Sequence, residues 1–274
     1  MFARCKGVRT VITVSDSVLK YLTGLVVLIL LLVFTSPLII LWERGFSVET
    51  VELNLLVESL ILSLITSMFS SILVLIFSVP VAFTLTTIRG SFKRTIEATI
   101  MIPVIVSPSA IGSIILLFFA ESPIGSTLNR LVGVLNDPKG VVLAQFTIGF
   151  PVAVSFYSAL FSSIPRVYEE VAAEAGLSRL EYLYRVLLPM TKSQVLSGLV
   201  LIYARVFADF GTSLIVGGGI RGKTWTFPIY VYMMTQYGEI TVLSVTLLVY
   251  LLVAFGLLYA LYSVREISSR PRQG

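Results

Sequence analysis

The chain has 274 residues, of which 56% are hydrophobic and only 13% charged; soluble chains carry roughly 25% charged residues, so an ordinary soluble domain is excluded. A single cysteine, Cys5, excludes an internal disulfide and any multi-cysteine zinc site, and the lack of histidine removes the usual general base, the Ser-His-Asp and Cys-His arrangements and the commonest metal ligand. The formal net charge of +5 would suit a nucleic-acid partner, a reading that the placement of the charges removes.

Arg4, Lys6, Arg9 and Lys20 precede an apolar run from Tyr21 to Trp42. That run exceeds the roughly 7–15 residues of a signal h-region, and no small-x-small cleavage site follows it. It is predicted as the first membrane span, with Tyr21 and Trp42 at its interfaces. A second apolar stretch, 56–87, contains Pro80 and is longer than the ~20 residues needed to cross, which predicts tilt, a kink or projection beyond the bilayer. A basic loop with Arg89, Lys93 and Arg94 leads to a third run, 96–120. Pro103 and Pro108 break the helical ladder there, next to Ser107, Ser109 and Gly112. Such a break survives at membrane depth only where protein or water satisfies the freed backbone groups. A simple proline kink fits, and so does a discontinuous helix lining a translocation path, with Ser107 and Ser109 as candidate path residues.

Residues 121–140 read as an external loop and 141–161 as a fourth span interrupted by Pro151. The polar stretch 163–190 then reads as two short helices. Pro165 suits a first helical position, and Gly176 suits a left-handed cap that closes the first helix. Ser178 with Glu181 spells a capping box opening the second. Leu180, Leu183, Tyr184 and Leu187 give that second helix an apolar face, and Pro189 is expected to stop it. Either this is a tidy loop, or it is a docking element that a soluble partner grips. A fifth span is predicted over 195–216, an external loop to about 239 and a sixth span over 240–264, followed by Arg265, Arg270 and Arg272.

Six spans put both termini on one side. The two termini, the loop after span two and the 163–190 region with Lys192 together hold fourteen Lys and Arg residues, against five on the opposite side. The positive-inside rule therefore predicts a multi-pass cell-membrane protein with both termini and the helix–turn–helix in the cytoplasm. Topology accounts for the excess charge, and nucleic acid drops out as a partner. The bilayer is the partner that composition implies.

Two constellations invite chemistry. Gly217 to Thr224 satisfies the letters of a phosphate-binding P-loop, but a membrane span precedes it, Trp225 to Pro228 follows it, and the topology puts it outside. ATP binding by this chain is therefore not expected. Arg205 and Asp209 stand four apart on the predicted fifth span and so would share a helical face. Each charge costs roughly 2.5–3.5 kcal/mol at mid-membrane, so the pair should face protein or water. It either orients helices, or places Arg205 on an anion path with Asp209 holding its rotamer. Arg221 and Lys223 would flank the external mouth.

The spacing Glu170, Ala172, Gly176, Pro189 resembles the EAA loop of ABC-importer permeases, with Val171 where the first alanine of that loop normally stands. The resemblance extends over most of the chain after about residue 50. The segments 102–112, 209–212 and 222–230 are similar to permeases for molybdate, tungstate and sulfate. Asp209, where molybdate permeases often have glutamate, is also similar to permeases for ferric iron and polyamines. The resemblance implies an all-α polytopic protein of about six spans, with residues 1–20 and 265–274 flanking a permease domain over 21–264. It implies a coupling loop, 163–190, between spans four and five, whose Glu170, Ala172, Ala173, Gly176, Leu180 and Pro189 engage cytoplasmic ABC ATPase subunits. Further implied partners are an extracytoplasmic binding protein and a second permease copy in a homodimer. No cofactor is expected on this chain; ATP and magnesium belong to the partner ATPase. The expected function is passage of a tetrahedral oxyanion, with ferric iron or polyamine as the alternative cargo and a non-transporting membrane scaffold as the alternative role. A membrane enzyme lacks its catalytic group here, and an ion-coupled carrier would bring internal repeats over roughly 10–12 spans.

Overall fold

The computed structural model describes residues 6–44 and 52–269, with side chains described over 18–43 and 52–263. Of the basic residues used for orientation, Arg4, Arg270 and Arg272 lie outside the described residues, as do the side chains of Lys6, Arg9, Arg44 and Arg265. Among the described residues every regular element is helical: α1 (Lys6–Arg44), α2 (Leu53–Thr87), α3 (Ser91–Ile105), α4 (Pro108–Glu121), α5 (Pro123–Val132), α6 (Pro138–Ser162), α7 (Val167–Glu174), α8 (Arg179–Tyr182), α9 (Leu188–Phe207), α10 (Gly211–Gly217), α11 (Phe227–Tyr237) and α12 (Ile240–Ser269). A π turn, Leu183–Leu187, joins α8 to α9 without a break, so Arg179–Phe207 is one rod. Among the described residues five helices are long and apolar enough to cross a bilayer: Val18–Glu43, α2, α6, Arg179–Phe207 and Ile240–Ser263. The pair α3 and α4 makes a sixth if counted as one bent span.

The centre of the bundle is α2 against α6. α2 buries a stripe of small polar residues, including Ser59, Ser63, Ser67, Ser70 and Ser78. α6 answers with buried Ala144, Gly149 and Ala153. Small side chains let two backbones approach closely where lipid supplies no hydrophobic drive between helices. Serine hydroxyls that donate back to their own helix, as Ser59 does to the Leu56 carbonyl at 2.8 Å, carry no unpaired donor into the contact. α9 packs on the α2–α6 pair and α12 packs on α9. α1 packs along α12 and, over its described side chains (18–43), keeps nearly all the apolar ones exposed, the state that hydrocarbon solvates.

Two apolar cores result. One joins Val74, Phe83, Tyr157, Phe161 and Ile202 of the spans to Ala172, Tyr182, Leu183 and Leu187 of the helix–turn–helix. The other joins Leu55 and Leu56 to Phe207, Trp225, Phe227, Tyr230 and Val242 at the opposite end of α2.

Several boundaries differ from those read off the sequence. The third run is not one helix: α3 and α4 meet at a break bent by 108°. At ~1.5 Å per residue each is ~21–22 Å long, short of the ~30 Å hydrocarbon core. Pro108 takes the first position of α4, so its missing N–H falls where no helical bond is due. Pro151 does not interrupt α6. Pro189 does not end its helix either. In the preceding π turn the Leu188 amide donates to Leu183, five residues back, and the ladder changes register where the proline cannot donate. The fifth span ends at Phe207 rather than 216, and α10 follows as a separate short helix. The two segments read as external loops contain α5 and α11, and residues 224–230 around the start of α11 are fully buried.

Candidate functional site

The helix–turn–helix is built from standard local parts. α7 ends in a Schellman motif: Gly176, at φ +81°, donates to the Ala173 carbonyl at 2.9 Å, and the Leu177 amide donates to Ala172 at 3.0 Å. Only glycine takes that φ without strain. The capping box at α8 is complete, with the Glu181 amide donating to Ser178 Oγ at 3.3 Å and the Ser178 amide donating to Glu181 Oε2 at 3.0 Å. Hydrogen bonds from the Ser178 amide and hydroxyl, then the nearby Arg185, hold the Glu181 carboxyl below its ordinary value. Arg179 Nε stands 4.0 Å from Glu169 Oε1, across the turn.

The motif has two faces. Ala172, Tyr182, Leu183 and Leu187 point into the core, where the Tyr182 ring lies 6.1 Å from that of Phe83. Val167, Tyr168, Val171, Leu180 and Tyr184 are exposed, from 43% for Tyr168 to 63% for Leu180, and Glu170 and Ala173 are exposed with them. The apolar stripe predicted for the second helix is therefore split: Leu183 and Leu187 are inside, while Leu180 and Tyr184 are outside. Pro165 precedes the first turn of α7, which starts at Val167, and its carbonyl accepts from Tyr168 at 3.3 Å.

The break between α3 and α4 is tied to α10. Ser107 caps α4 by accepting from the Ala110 amide at 3.3 Å, and its hydroxyl lies 3.3 Å from that of Ser109; both serines are exposed. Thr212 Oγ1 donates to the Pro108 carbonyl at 2.9 Å. The backbones approach so closely that a Cβ on Gly112 would stand 3.0 Å from Ile215 Cβ and 3.1 Å from Thr212 Cα. Asp209 lies in the break between α9 and α10, 2% exposed, and its Oδ2 accepts from the Ser213 hydroxyl at 2.7 Å and the Ser213 amide at 3.0 Å. Asp209 thus holds the start of α10. It lies beyond the end of α9 at Phe207, and although Arg205 is near enough for its charge to act on Asp209, among the described residues Arg205 forms no direct ion pair. Arg205 is exposed on α9, in line with exposed Leu201 and Ala208.

At the far end, Arg221 pairs with Glu52 and lies 6.0 Å from the centre of the Trp225 ring, and Lys223 Nζ stands 3.2 Å from Asp137 Oδ2. Glu52 keeps the Arg221 guanidinium above its ordinary value. The Gly-rich segment forms turns in which the Ile220 amide donates to Thr224 Oγ1 at 2.8 Å and Trp225 Nε1 donates to Gly219 O at 2.7 Å. No helix opens at Gly222–Thr224, so the P-loop letters lack the geometry they need.

Residues 75–269 match the family described as "Binding-protein-dependent transport system inner membrane component". The chain belongs to this family. It is a membrane permease of the ABC-importer type, with several spans. Its relatives include a probable transport system permease protein NifC of Clostridium pasteurianum, 28% identical over 213 residues, covering 77% of this chain and 74% of that protein. The molybdenum transport system permease protein ModB of Mycobacterium tuberculosis is 28% identical over 219 residues, 79% of this chain and 82% of its own. The molybdate/tungstate transport system permease protein WtpB of Pyrococcus abyssi is 24% identical over 192 residues, 68% and 73%. Among solved structures, a chain of a bacterial alginate ABC transporter complexed with an alginate pentasaccharide-bound periplasmic protein matches with a TM-score of 0.69 and 14% identity, over 94% of the permease and 96% of that chain. That likeness speaks to the fold.

Sequence reasoning missed the polar contacts inside the permease. The Phe227 amide donates to Ser63 Oγ at 2.6 Å, and Gln145 Nε2 donates to Ser67 Oγ at 3.2 Å. The signal was present as serines recurring on one face of α2, but serine in an apolar run reads as neutral until its partner is known.

Proposed function

We propose that the permease carries a tetrahedral oxyanion of the molybdate or tungstate type, delivered by an extracytoplasmic binding protein. The observation that carries this reading is Arg205, an exposed cation in an apolar helix that makes no direct ion pair; Asp209, whose charge it feels, is hydrogen-bonded to Ser213 instead. Facing lipid it would cost roughly 2.5–3.5 kcal/mol, so it faces water or a second copy of the permease. The names of the relatives favour the same anion class. A ferric iron or polyamine path would need exposed carboxylates, whereas Asp209 is buried, with its Oδ2 held by Ser213.

In this reading two permease copies, with both termini cytoplasmic, enclose a path lined by Arg205, Ser107 and Ser109. Arg221 and Lys223 are assigned to the external mouth, where they act as paired charges shaping the turn. ATP and magnesium sit on separate ATPase subunits, and this chain binds neither. Closure of the ATPase dimer pushes on Glu170, Ala173 and Leu180 at the outer face of the coupling loop, while Ala172 and the Gly176 turn pass the push inward. Arg179–Phe207 is a single rod through the π turn and Pro189, ~43 Å long at ~1.5 Å per residue. Pushing its cytoplasmic end moves Arg205 at the other, and the break at 208–210 lets α10 stay with α4. The two ATPase states bias the two permease states through their different affinities for the loop.

The test is ATPase stimulation in proteoliposomes holding the permease, its copurifying ATPase and the binding protein. Molybdate or tungstate should stimulate, and ferric iron and spermidine should not. Stimulation by iron alone keeps the importer and overturns the anion; the absence of any copurifying ATPase favours a scaffold.

A further inference from the structure

Where the C-terminal ends of α2 and α6 meet α7 and α8, the permease encloses a cavity of about 340 Å³ that the transport reading leaves unused. Its floor is apolar, with Phe83 and Tyr182, and its rim carries Arg89, Arg166 and Arg179 with Glu169 as the one carboxylate. Glu169 answers only Arg179, at 4.0 Å, and among the described residues neither Arg89 nor Arg166 has an ion-pair partner. The two helix C-termini offset part of this charge. Each contributes about half a negative charge, which leaves roughly one positive charge unanswered. Helix capping therefore does not account for all three guanidiniums.

We infer that this cavity binds a phosphate group, supplied either by an anionic lipid headgroup or by free phosphate. A guanidinium presents a planar fork of donors that fits two phosphate oxygens at once. A basic pocket between spans at their cytoplasmic ends is where anionic headgroups come within reach. Arg89 belongs to the loop after α2, Arg166 precedes α7 and Arg179 opens α8. One bound phosphate would tie these three segments together and brace the helix–turn–helix against the spans. The inference rests on the proposed function only for the side of the membrane, not for the cargo.

The test uses the permease–ATPase complex in detergent, with native mass spectrometry counting retained phosphatidylglycerol and thermal unfolding measured with added inorganic phosphate. Wild type should retain phosphatidylglycerol in preference to phosphatidylcholine, and the Arg89→Gln/Arg166→Gln variant should bind it roughly tenfold or more weakly, having lost two charge-assisted contacts. The Arg89→Lys/Arg166→Lys variant, which keeps both charges and guards against misfolding, should fall between the two. Stabilisation by inorganic phosphate that the Gln variant loses, without lipid retention, also supports the site and assigns it to free phosphate. Equal lipid retention and equal phosphate response in all three proteins would overturn the inference. So would release of the ATPase from the Gln and Lys variants alike, which would make these arginines a subunit contact.

Discussion

At the end formed by Thr87, Ser162 and the helix–turn–helix, one face is locked into the span core while Val167, Val171, Leu180 and Tyr184 remain exposed on the other. At the end formed by Glu52, Asp137 and the 217–226 turn, residues 224–230 go inside and Arg221 and Lys223 are answered by carboxylates, while Leu131 and Val132 of the neighbouring α5 stay exposed. The contrast is between a motif that carries exposed apolar side chains on its own outer face and a turn that buries its aromatic segment and pairs its own charges. Exposed leucine, valine and tyrosine on a short helical motif cost solubility unless a protein partner covers them. Paired charges around a tight turn need no partner. In the proposed function the first end is the handle on which the ATPase acts, and the second is a rim held by its own charges.

The comparison breaks most completely if the handle can be altered without loss. Glu170→Lys reverses a charge on the exposed face, and Gly176→Pro removes an amide that donates at 2.9 Å and cannot adopt a φ of +81°. Either change is expected to abolish uptake and substrate-stimulated ATPase activity while the permease still inserts. Normal uptake with both substitutions would sink the coupling assignment. The next effect separates the two faces of the motif. Tyr182→Ala opens a hole beside Phe83 and should cost about 3 kcal/mol, whereas Leu180→Ala, at 63% exposure, should change stability by less than about 0.5 kcal/mol and weaken ATPase capture instead. Thermal unfolding of both variants checks this, and equal losses of stability would contradict the two-faced arrangement.

The sequence revealed those parts of this design that depend on local rules. The Gly176 turn and the Ser178–Glu181 capping box follow from backbone geometry and are where they were expected, whereas the third apolar run is split by a break and the fifth ends at Phe207 rather than 216. Prolines misled in both directions, because their effect depends on what surrounds them. Pro189 is absorbed by a π turn, Pro151 by the continuous α6, and Pro108 starts a helix turned through 108°. The burial of 224–230 was not legible, since a short helix is an external loop or a core element according to which neighbour covers it. Arg205 and Asp209 illustrate the same limit. Their spacing of four implies a direct ion pair only if the helix continues; it ends at Phe207, and Arg205 acts on Asp209 across space without a hydrogen bond.

Asp209 offers the next test, at the junction between rod and rim. Its Oδ2 takes two hydrogen bonds from Ser213, so Asp209→Ala should cost about 2 kcal/mol and Asp209→Asn, which keeps one acceptor oxygen, about 1 kcal/mol. If Asp209 instead served chiefly to pair with Arg205, Arg205→Met would cost as much as Asp209→Ala. Chemical unfolding of the three variants decides between these orders.

The smallest effect belongs to the closed rim and sharpens the contrast through pH. Burial alone would raise the Asp137 carboxyl, but the Lys139 amide and the Lys223 ammonium outweigh it and hold the group below its ordinary value. A depressed carboxylate contributes stability that is complete above its unfolded value and is lost as pH falls through the folded one. Lys223 is half exposed, so solvent and salt screen the pair and its contribution is a few tenths of a kcal/mol. The melting temperature of wild type minus that of Asp137→Asn should accordingly be small and positive at pH 7, shrink with added salt, and decline as acidification carries the pH below the ordinary aspartate value and through the lowered folded one. A difference that grows on acidification would mean that Asp137 is held by something other than the charges of the turn, and the rim would then not be the self-contained structure that distinguishes it from the handle.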